Sequence, residues 1–203
     1  VLSMLISSES QNHDLQKLNH INSIIEPLKD FFTRFGIKMA SILLLIVATY
    51  RLTDIVMGPM ANPFYIDMGY TLEEIGYIVK VVALIATIFG VFLGGISIKR
   101  IGLYKSLIIG GVLVMFTNLF FSYAALSEKN LTLLALIVAS DSIAAGIVGT
   151  VNITFLTSLV SQKYTGFQYA LLTSLMAFLG KIFAGFSGLI VENFQSLYGF
   201  SYG

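Results

Sequence analysis

Long runs of apolar residues, separated by short polar stretches, dominate the pattern along the chain. A helix that crosses the roughly 30 Å hydrocarbon layer of a membrane needs about 20 mostly apolar residues. Five runs meet this requirement, and the predicted spans are 37–57, 72–98, 103–126, 131–159 and 167–191. The alternation typical of transmembrane barrel strands is missing from them. The pattern therefore predicts an all-α transmembrane fold with five membrane-spanning helices.

Local signals for helix ends agree with these limits. Pro59 and Pro63 follow the first span, and proline lacks the N–H group that a helix interior needs, so the first helix is expected to end before them. Thr71 and Glu74 have the spacing of a capping box, which predicts the start of the second helix.

Residues 1–36 form a separate predicted unit ahead of the transmembrane bundle 37–203. Apolar residues recur at helical spacing from Leu15 to Phe35, with polar and basic residues between them. This pattern is typical of a helix that lies on a membrane surface. We expect a cytoplasmic linker with an interfacial amphipathic helix, which serves as a connecting segment. A regulatory or lipid-sensing role is the alternative.

The composition narrows the class of protein. Hydrophobic residues make up 56% of the chain and charged residues 11%, against about 45–50% and roughly 25% in soluble domains. These values exclude a soluble globular enzyme and a disordered chain. Cysteine is absent and both histidines, His13 and His20, precede the spans, so we expect no enzyme, metal site or cofactor. The net charge of +1 argues against a nucleic-acid partner and leaves the lipid bilayer as the main one.

Basic residues in the loops and at the ends of the spans segregate to one side of the predicted topology. Eight of them fall on the side of the N-terminus and one, Lys129, on the other. The eight are Lys17, Lys29, Arg34, Lys38, Lys99, Arg100, Lys105 and Lys163. Because basic loops stay in the cytoplasm, the sequence predicts a cytoplasmic N-terminus and an external C-terminus.

Ionisable residues inside the spans are the candidate functional residues. They are Arg51, Asp54, Lys80, Asp141 and Lys181. Each costs at least about 2.5–3.5 kcal/mol at a helix centre, so such residues normally face a bundle interior or a watery cavity. Counting about 1.5 Å per residue places all five in one layer, at or slightly outside the midplane. This layer predicts a site for a polar or anionic solute, and a carboxylate within it could carry a coupling proton.

Mutual neutralisation of these charges is the alternative. Arg51 and Asp54 are three residues apart and share a helix face, and Asp141 with Lys181 would form a second pair. Lys80 would then be the unpaired cation. Asp54 is the first candidate for the coupling carboxylate, because it shares a face with Arg51 and lies near the level of Lys80; Asp141 is the next.

The third span differs from the other four. It has no ionisable residue between Lys105 and Glu128, and Asn118 is its only amide, so we expect a peripheral, lipid-facing helix. Small residues that let helices approach closely recur in two other spans. They are Gly90 and Gly94 in the second, and Gly180, Ala184 and Gly188 in the fifth.

The segment GISIKRIGLYK, residues 95–105, resembles the loop signature of the major facilitator superfamily. Gly95, Arg100, Gly102 and Lys105 fit that signature, which has an acid where this chain has Lys99.

Further segments resemble the C-terminal half of the AmpG-type muropeptide permeases. They are residues 27–32, 50–54, 63–64, Gly69 and residues 74–76. The resemblance implies that the five spans are helices seven to eleven of a twelve-helix carrier and form most of its C-terminal six-helix bundle. It also implies proton-driven import of anhydromuropeptides across the bacterial inner membrane for cell-wall recycling, with a separate N-terminal half as a partner. A non-transporting membrane protein, such as a partner subunit or the relic of a split transporter gene, is the alternative.

Overall fold

The computed structural model describes the backbone of residues 20–198 and the side chains of residues 24–186. All of its regular elements are helical. They are α1 (His20–Tyr50), α2 (Leu52–Asp67), α3 (Leu72–Ile78), a π segment (Val79–Ala83), α4 (Leu84–Ile101), α5 (Leu103–Ala125), α6 (Leu131–Leu159) and α7 (Thr165–Tyr198). Five stretches are long and apolar enough to cross a membrane, which confirms the predicted fold class.

The first of these stretches is longer than its predicted span, because α1 and α2 together run from Ile24 to Asp67. The expected helix end before Pro59 is wrong, since α2 continues through both prolines. A membrane helix tolerates proline because neighbouring groups satisfy the backbone atoms that it leaves free. The actual break lies earlier, at Arg51, where φ is −105° and ψ is 11°.

The part of α1 before Gly36 packs on the loop between α6 and α7. Gly36 has φ 71° and ψ 155°, a conformation that favours glycine, and it turns the chain between the two parts of α1. The side chain of Gln168 holds the first part. Its Nε2 donates to the carbonyl oxygen of Pro27 at 2.8 Å and to Asp30 at 3.0 Å.

The carboxamide oxygen of Gln168 completes this network, which we call the Gln168 network. It accepts from Arg34 at 3.1 Å and from the backbone N–H of Ser161 at 2.7 Å. Gln168 is only 2% exposed. The beginning of the predicted interfacial helix, from Leu15 to Leu18, and the basic residue Lys17 lie outside the described residues.

The tightest helix contact joins α4 to α6. A Cβ atom at Gly90 would meet the backbone of Ile143, and one at Gly94 would lie 3.1 Å from Ile147 Cα. This confirms the close approach predicted for these glycines. In the fifth span a Cβ atom at Gly180 would lie 2.6 Å from Ile55 Cδ1. Gly188 lies outside the described side chains.

The π segment keeps one face of the second span turned toward α6. Ile78, Ala86, Gly90 and Gly94 are all buried, at separations that are multiples of four residues. At 3.6 residues per turn, each step of four rotates a straight α-helix by about 40° too far. The wider turn of the π segment counters that drift between Ile78 and Ala86.

Two apolar clusters fill the described bundle, with polar side chains between them. The first includes Val47, Leu107, Val151, Phe155, Leu156 and Leu172. The second includes Tyr65, Ile75, Phe121, Leu134 and Val138. On α6, Asp141 lies between Val138 and Ile143, which packs on the first cluster.

The loops α2–α3 and α5–α6 are joined to each other at the second cluster. The Tyr70 hydroxyl donates to the carbonyl oxygen of Asn130 at 2.9 Å and accepts from its N–H at 3.0 Å. Lys129 Nζ lies 2.9 Å from Glu74. Glu74 also closes the capping box with Thr71, as predicted from the sequence.

The α4–α6 contact predicts opposite effects for two substitutions on α6. A Cβ atom at Gly146 would lie 2.5 Å from the Thr87 carbonyl oxygen and 2.9 Å from Val91 N, whereas one at Gly149 meets nothing within 4 Å. We expect Gly146→Ala to cost about 1–3 kcal/mol through overpacking, which lowers the melting temperature of the purified protein by roughly 2–10 °C. Gly149→Ala is the matched control and should leave the melting temperature equal or higher. Equal melting temperatures for the two variants would contradict the contact.

Candidate functional site

A cavity of about 210 Å³ opens between α2, α5 and α6 at the level where the two apolar clusters end. We call it the polar cavity. It is lined by Arg51, Asp54, Met57, Gly58, Ala61, Asn118, Phe121, Asp141 and Ala145. Three of the five ionisable residues predicted for the site therefore line one cavity.

Arg51 and Asp54 form an ion pair at the start of α2. Arg51 Nε lies 3.5 Å from Asp54 Oδ2, as expected for residues that share a helix face. Asp54 is in the first turn of α2, where the positive end of the helix dipole favours a carboxylate. The interruption of the helix at Arg51 thus creates a new helix N-terminus, that of α2, next to the charged pair.

Asp141 enters the same cavity from α6. The Thr117 hydroxyl lies 3.4 Å from Asp141 Oδ1 and also donates to the Val114 carbonyl oxygen at 3.1 Å. Asp141 has no ion-pair partner among the described side chains. It is therefore the less compensated of the two carboxylates in the cavity.

The third predicted span contributes to this polar site. Thr117, only 5% exposed, and Asn118 both lie on α5 and reach the polar cavity or its carboxylate. The prediction is therefore wrong in keeping this helix out of the polar layer. Its lipid-facing part agrees with the structure, because large apolar side chains of α5 such as Ile108, Met115 and Leu119 are more than 60% exposed. Asn118, the only amide in this apolar span, was the sequence signal for the contact with the cavity.

The structure does not bring the two predicted lysines into the polar cavity. Lys80 lies in the π segment, is exposed and lines a different pocket. Lys181 is exposed on α7, and the described side chains show no ion pair between it and Asp141. The alternative in which Asp141 and Lys181 neutralise each other is not observed. The functional roles of all five residues stay predictions.

A second cavity adjoins the polar cavity toward the α2–α3 loop. It has a volume of about 290 Å³ and shares Met57, Ala61, Asn118 and Phe121 with the polar cavity. Asp67 and Ser122 lie on its other walls. Within the described residues, no group of three or more His, Cys, Asp or Glu side chains is placed to hold a metal ion.

The predicted loop motif lies between α4 and α5. Lys99 and Arg100 are in the last turn of α4, where the negative end of the helix dipole favours cations. Gly102 has φ 88°, which explains why glycine stands at the turn. Ser97 Oγ and Ser106 Oγ are 2.8 Å apart and join the two helices next to the motif.

Comparison with known families decides the class of this helical bundle. The model of the Major Facilitator Superfamily matches residues 2–185. The chain belongs to the Major Facilitator Superfamily. With five apolar helices of sufficient length, it is a multi-pass membrane protein.

Individual members of the superfamily confirm the resemblance to AmpG-type permeases. The chain is 35% identical over 172 residues to the protein named AmpG 4 of Rickettsia conorii, covering 85% of this chain and 41% of that protein. It is 29% identical over 172 residues to the anhydromuropeptide permease of Escherichia coli K12, covering 84% and 34%. The permease is named as a transporter and not as an enzyme. The chain spans about two fifths of the length of the curated relatives it matches.

The Arg51–Asp54 pair predicts a coupling between two substitutions. Arg51→Met leaves the Asp54 carboxylate without its guanidinium. Because the pair is partly exposed, we expect a loss of about 1–2 kcal/mol of stability, between the values for exposed and for buried ion pairs, or roughly 2–8 °C in melting temperature. The double variant Arg51→Met/Asp54→Leu removes both charges and should recover most of the loss. If the decrease in melting temperature of the double variant equals the sum of the decreases of the two single variants, the pair does not interact.

Proposed function

We propose that the chain is the C-terminal half of a carrier that imports anhydromuropeptides across the bacterial inner membrane. Membership of the Major Facilitator Superfamily and the similarity to the Escherichia coli permease support this proposal. A polar cavity enclosed by membrane helices supports it independently, because polar residues at this depth are expensive and mark solute or ion pathways. In this proposal the first six helices of the carrier form an N-terminal half that acts as the partner of this bundle, and a twelfth helix completes the C-terminal half.

The observation that carries the proposal is the charge composition of the polar cavity. One guanidinium, from Arg51, faces two carboxylates, from Asp54 and Asp141. When both carboxylates are ionised, one negative charge has no partner in the cavity. Enclosing such a charge in a membrane is unfavourable, so the cavity would take up one cation. We propose a proton as this coupling ion.

Asp141 is the better candidate for the group that takes the proton. The sequence favoured Asp54 on the premise that it lies between Arg51 and Lys80, and the structure places Lys80 at a different pocket. Asp54 has the guanidinium of Arg51 at 3.5 Å, whereas Asp141 has only the Thr117 hydroxyl at 3.4 Å. In this proposal Asp54 holds the Arg51 side chain in place, and Asp141 takes up the proton.

Substitution of the two carboxylates tests this division. Asp141→Asn keeps the side-chain shape and removes the titratable group. Labelled anhydromuropeptide should then no longer accumulate against its concentration gradient, while downhill exchange remains. Asp54→Asn frees Arg51 and should reduce both uptake and exchange. Both are measured in cells that lack their own permease, with and without the N-terminal half of the carrier.

Three results would count against the proposal. Normal pH-dependent accumulation by the Asp141→Asn variant would exclude proton transfer at this residue. Saturable uptake by the 203-residue chain alone, as a monomer, would show that no partner half is needed. No uptake even with the N-terminal half would favour a non-transporting membrane protein.

We propose that the N-terminus is cytoplasmic, because the basic residues in the loops and at the ends of the spans segregate eight to one. The chain has no cysteine, so single cysteines can be introduced cleanly. A cysteine in place of Glu128 should react with a membrane-impermeant thiol reagent in spheroplasts, and a cysteine in place of Gly102 should react only after lysis. The reverse pattern would show the opposite orientation.

A further inference from the structure

One face of the second span carries polar groups that point away from the polar cavity. An open pocket of about 350 Å³ lies along this face, which we call the Lys80 face. Its residues are Leu72, Glu73, Gly76, Tyr77, Lys80 and Val81. Lys80 is exposed, and Tyr77, about one turn away, is 70% exposed.

The charge of Lys80 has no partner in the part of the chain that the structure describes. The three ion pairs there involve other cations, namely Arg34, Arg51 and Lys129. Lys129, near the same end of the bundle, contrasts with Lys80 because it has both the Glu74 carboxylate at 2.9 Å and the Tyr70 ring at 5.4 Å. Glu73 lines the Lys80 pocket without forming an ion pair with Lys80.

Lys80 lies within the second membrane-spanning stretch and not in a loop. It is eight residues after Leu72, the first residue of α3, which corresponds to a depth of about 12 Å. Leu84, Ile85 and Ile88 continue the exposed surface on the deeper side, and each is more than 60% exposed. An ammonium inside a span normally faces a water-filled cavity or a polar partner, or reaches the membrane interface along its flexible stem. An anionic solute is such a partner.

Lys80 lies within the π segment, two residues after the buried Ile78, which puts it on the opposite side of the helix from the face that packs on α6. The π segment rotates the helix between the buried residues Ile78 and Ala86 while both stay against the bundle. Wide turns of this kind inside α-helices are frequent at functional sites.

We propose that Lys80 binds a carboxylate of the transported solute, with Tyr77 beside it, at a subsite separate from the polar cavity. This inference rests on the proposed function. An ammonium group is a compact point charge that suits a carboxylate, and an exposed tyrosine offers both an aromatic surface and a hydroxyl group to the rest of a polar solute. The protein thus divides its two tasks between sites, because the solute's negative charge is recognised at the Lys80 face and the coupling ion is taken up by Asp141.

Cysteine chemistry next to Lys80 tests the subsite. Val81 lines the same pocket and is 41% exposed, so Val81→Cys reports on both water access and local potential. The variant is made in cells that contain the chain together with the rest of its carrier. Its reaction rates with an anionic and a cationic methanethiosulfonate reagent are compared. Beside Lys80 the anionic reagent should be favoured, and Lys80→Gln should lower the ratio of the two rates by about tenfold.

Protection by solute identifies the bound group. Anhydromuropeptide with free carboxylates should slow the labelling of Val81→Cys, and the same molecule with its carboxylates amidated should not. Lys80→Gln should abolish the protection and raise the KM for uptake at least tenfold, while Lys80→Arg retains both. Lys163→Gln is the charge-matched control, because Lys163 is exposed in the α6–α7 loop, and should behave as the unmodified chain does.

Each contrary result has a distinct meaning. If Val81→Cys reacts with neither reagent while Leu126→Cys, at a position 90% exposed, reacts with both, lipid or protein covers the Lys80 face and the subsite is overturned. Equal protection by the free and amidated solutes would overturn the carboxylate assignment. If uptake is absent in every variant and in the unmodified chain, the proposed function fails, whereas normal uptake by Lys80→Gln overturns only the subsite.

Discussion

A charge can remain inside membrane-spanning helices only if the protein encloses it or supplies it with a partner, and this constraint governs the arrangement of the bundle. Asp141 and the Arg51–Asp54 pair lie between two apolar clusters, so that close-packed side chains exclude lipid above and below them. The ion pair stands at a helix start, where the backbone itself contributes positive charge to the carboxylate. The two apolar clusters therefore enclose the polar residues in addition to stabilising the bundle.

Contacts at both ends hold α6, the helix that carries Asp141. Toward the α6–α7 loop, Arg34 donates to the carbonyl oxygen of Leu159 at 2.9 Å, and the Gln168 network fixes the residues that follow. Toward the α5–α6 loop, Tyr70 pairs with both backbone groups of Asn130. Between these points the glycine contacts bring α4 against α6. The backbone that carries Asp141 is therefore held at both ends and along its middle.

The sequence was sufficient for most features that lie within a single helix. Apolar length predicted the five spans, residue spacing predicted the Arg51–Asp54 pair and the Thr71–Glu74 capping box, and small residues predicted a closely packed face on the second span. The end of the first helix was predicted wrongly. Depth along each helix could be counted, but the direction in which a side chain points depends on how helices rotate against one another. That is why Lys80 and Lys181 were expected in the same polar layer as the carboxylates, and why the third span was expected to stay outside it. No glycine or proline stands at Arg51, so nothing in the sequence announced the break there.

The two prolines of α2 have a mechanical consequence. Pro59 and Pro63 lack N–H groups, so the carbonyl oxygens of Ile55 and Pro59 have no donor four residues ahead in the helix. Each missing bond lowers the bending stiffness of the helix where it passes between the two cavities. The first span thus combines a stiff half before Arg51 with a compliant half beyond it. A small bend in that half would change the width of the two cavities that it lines, while the Arg51–Asp54 pair lies before both prolines.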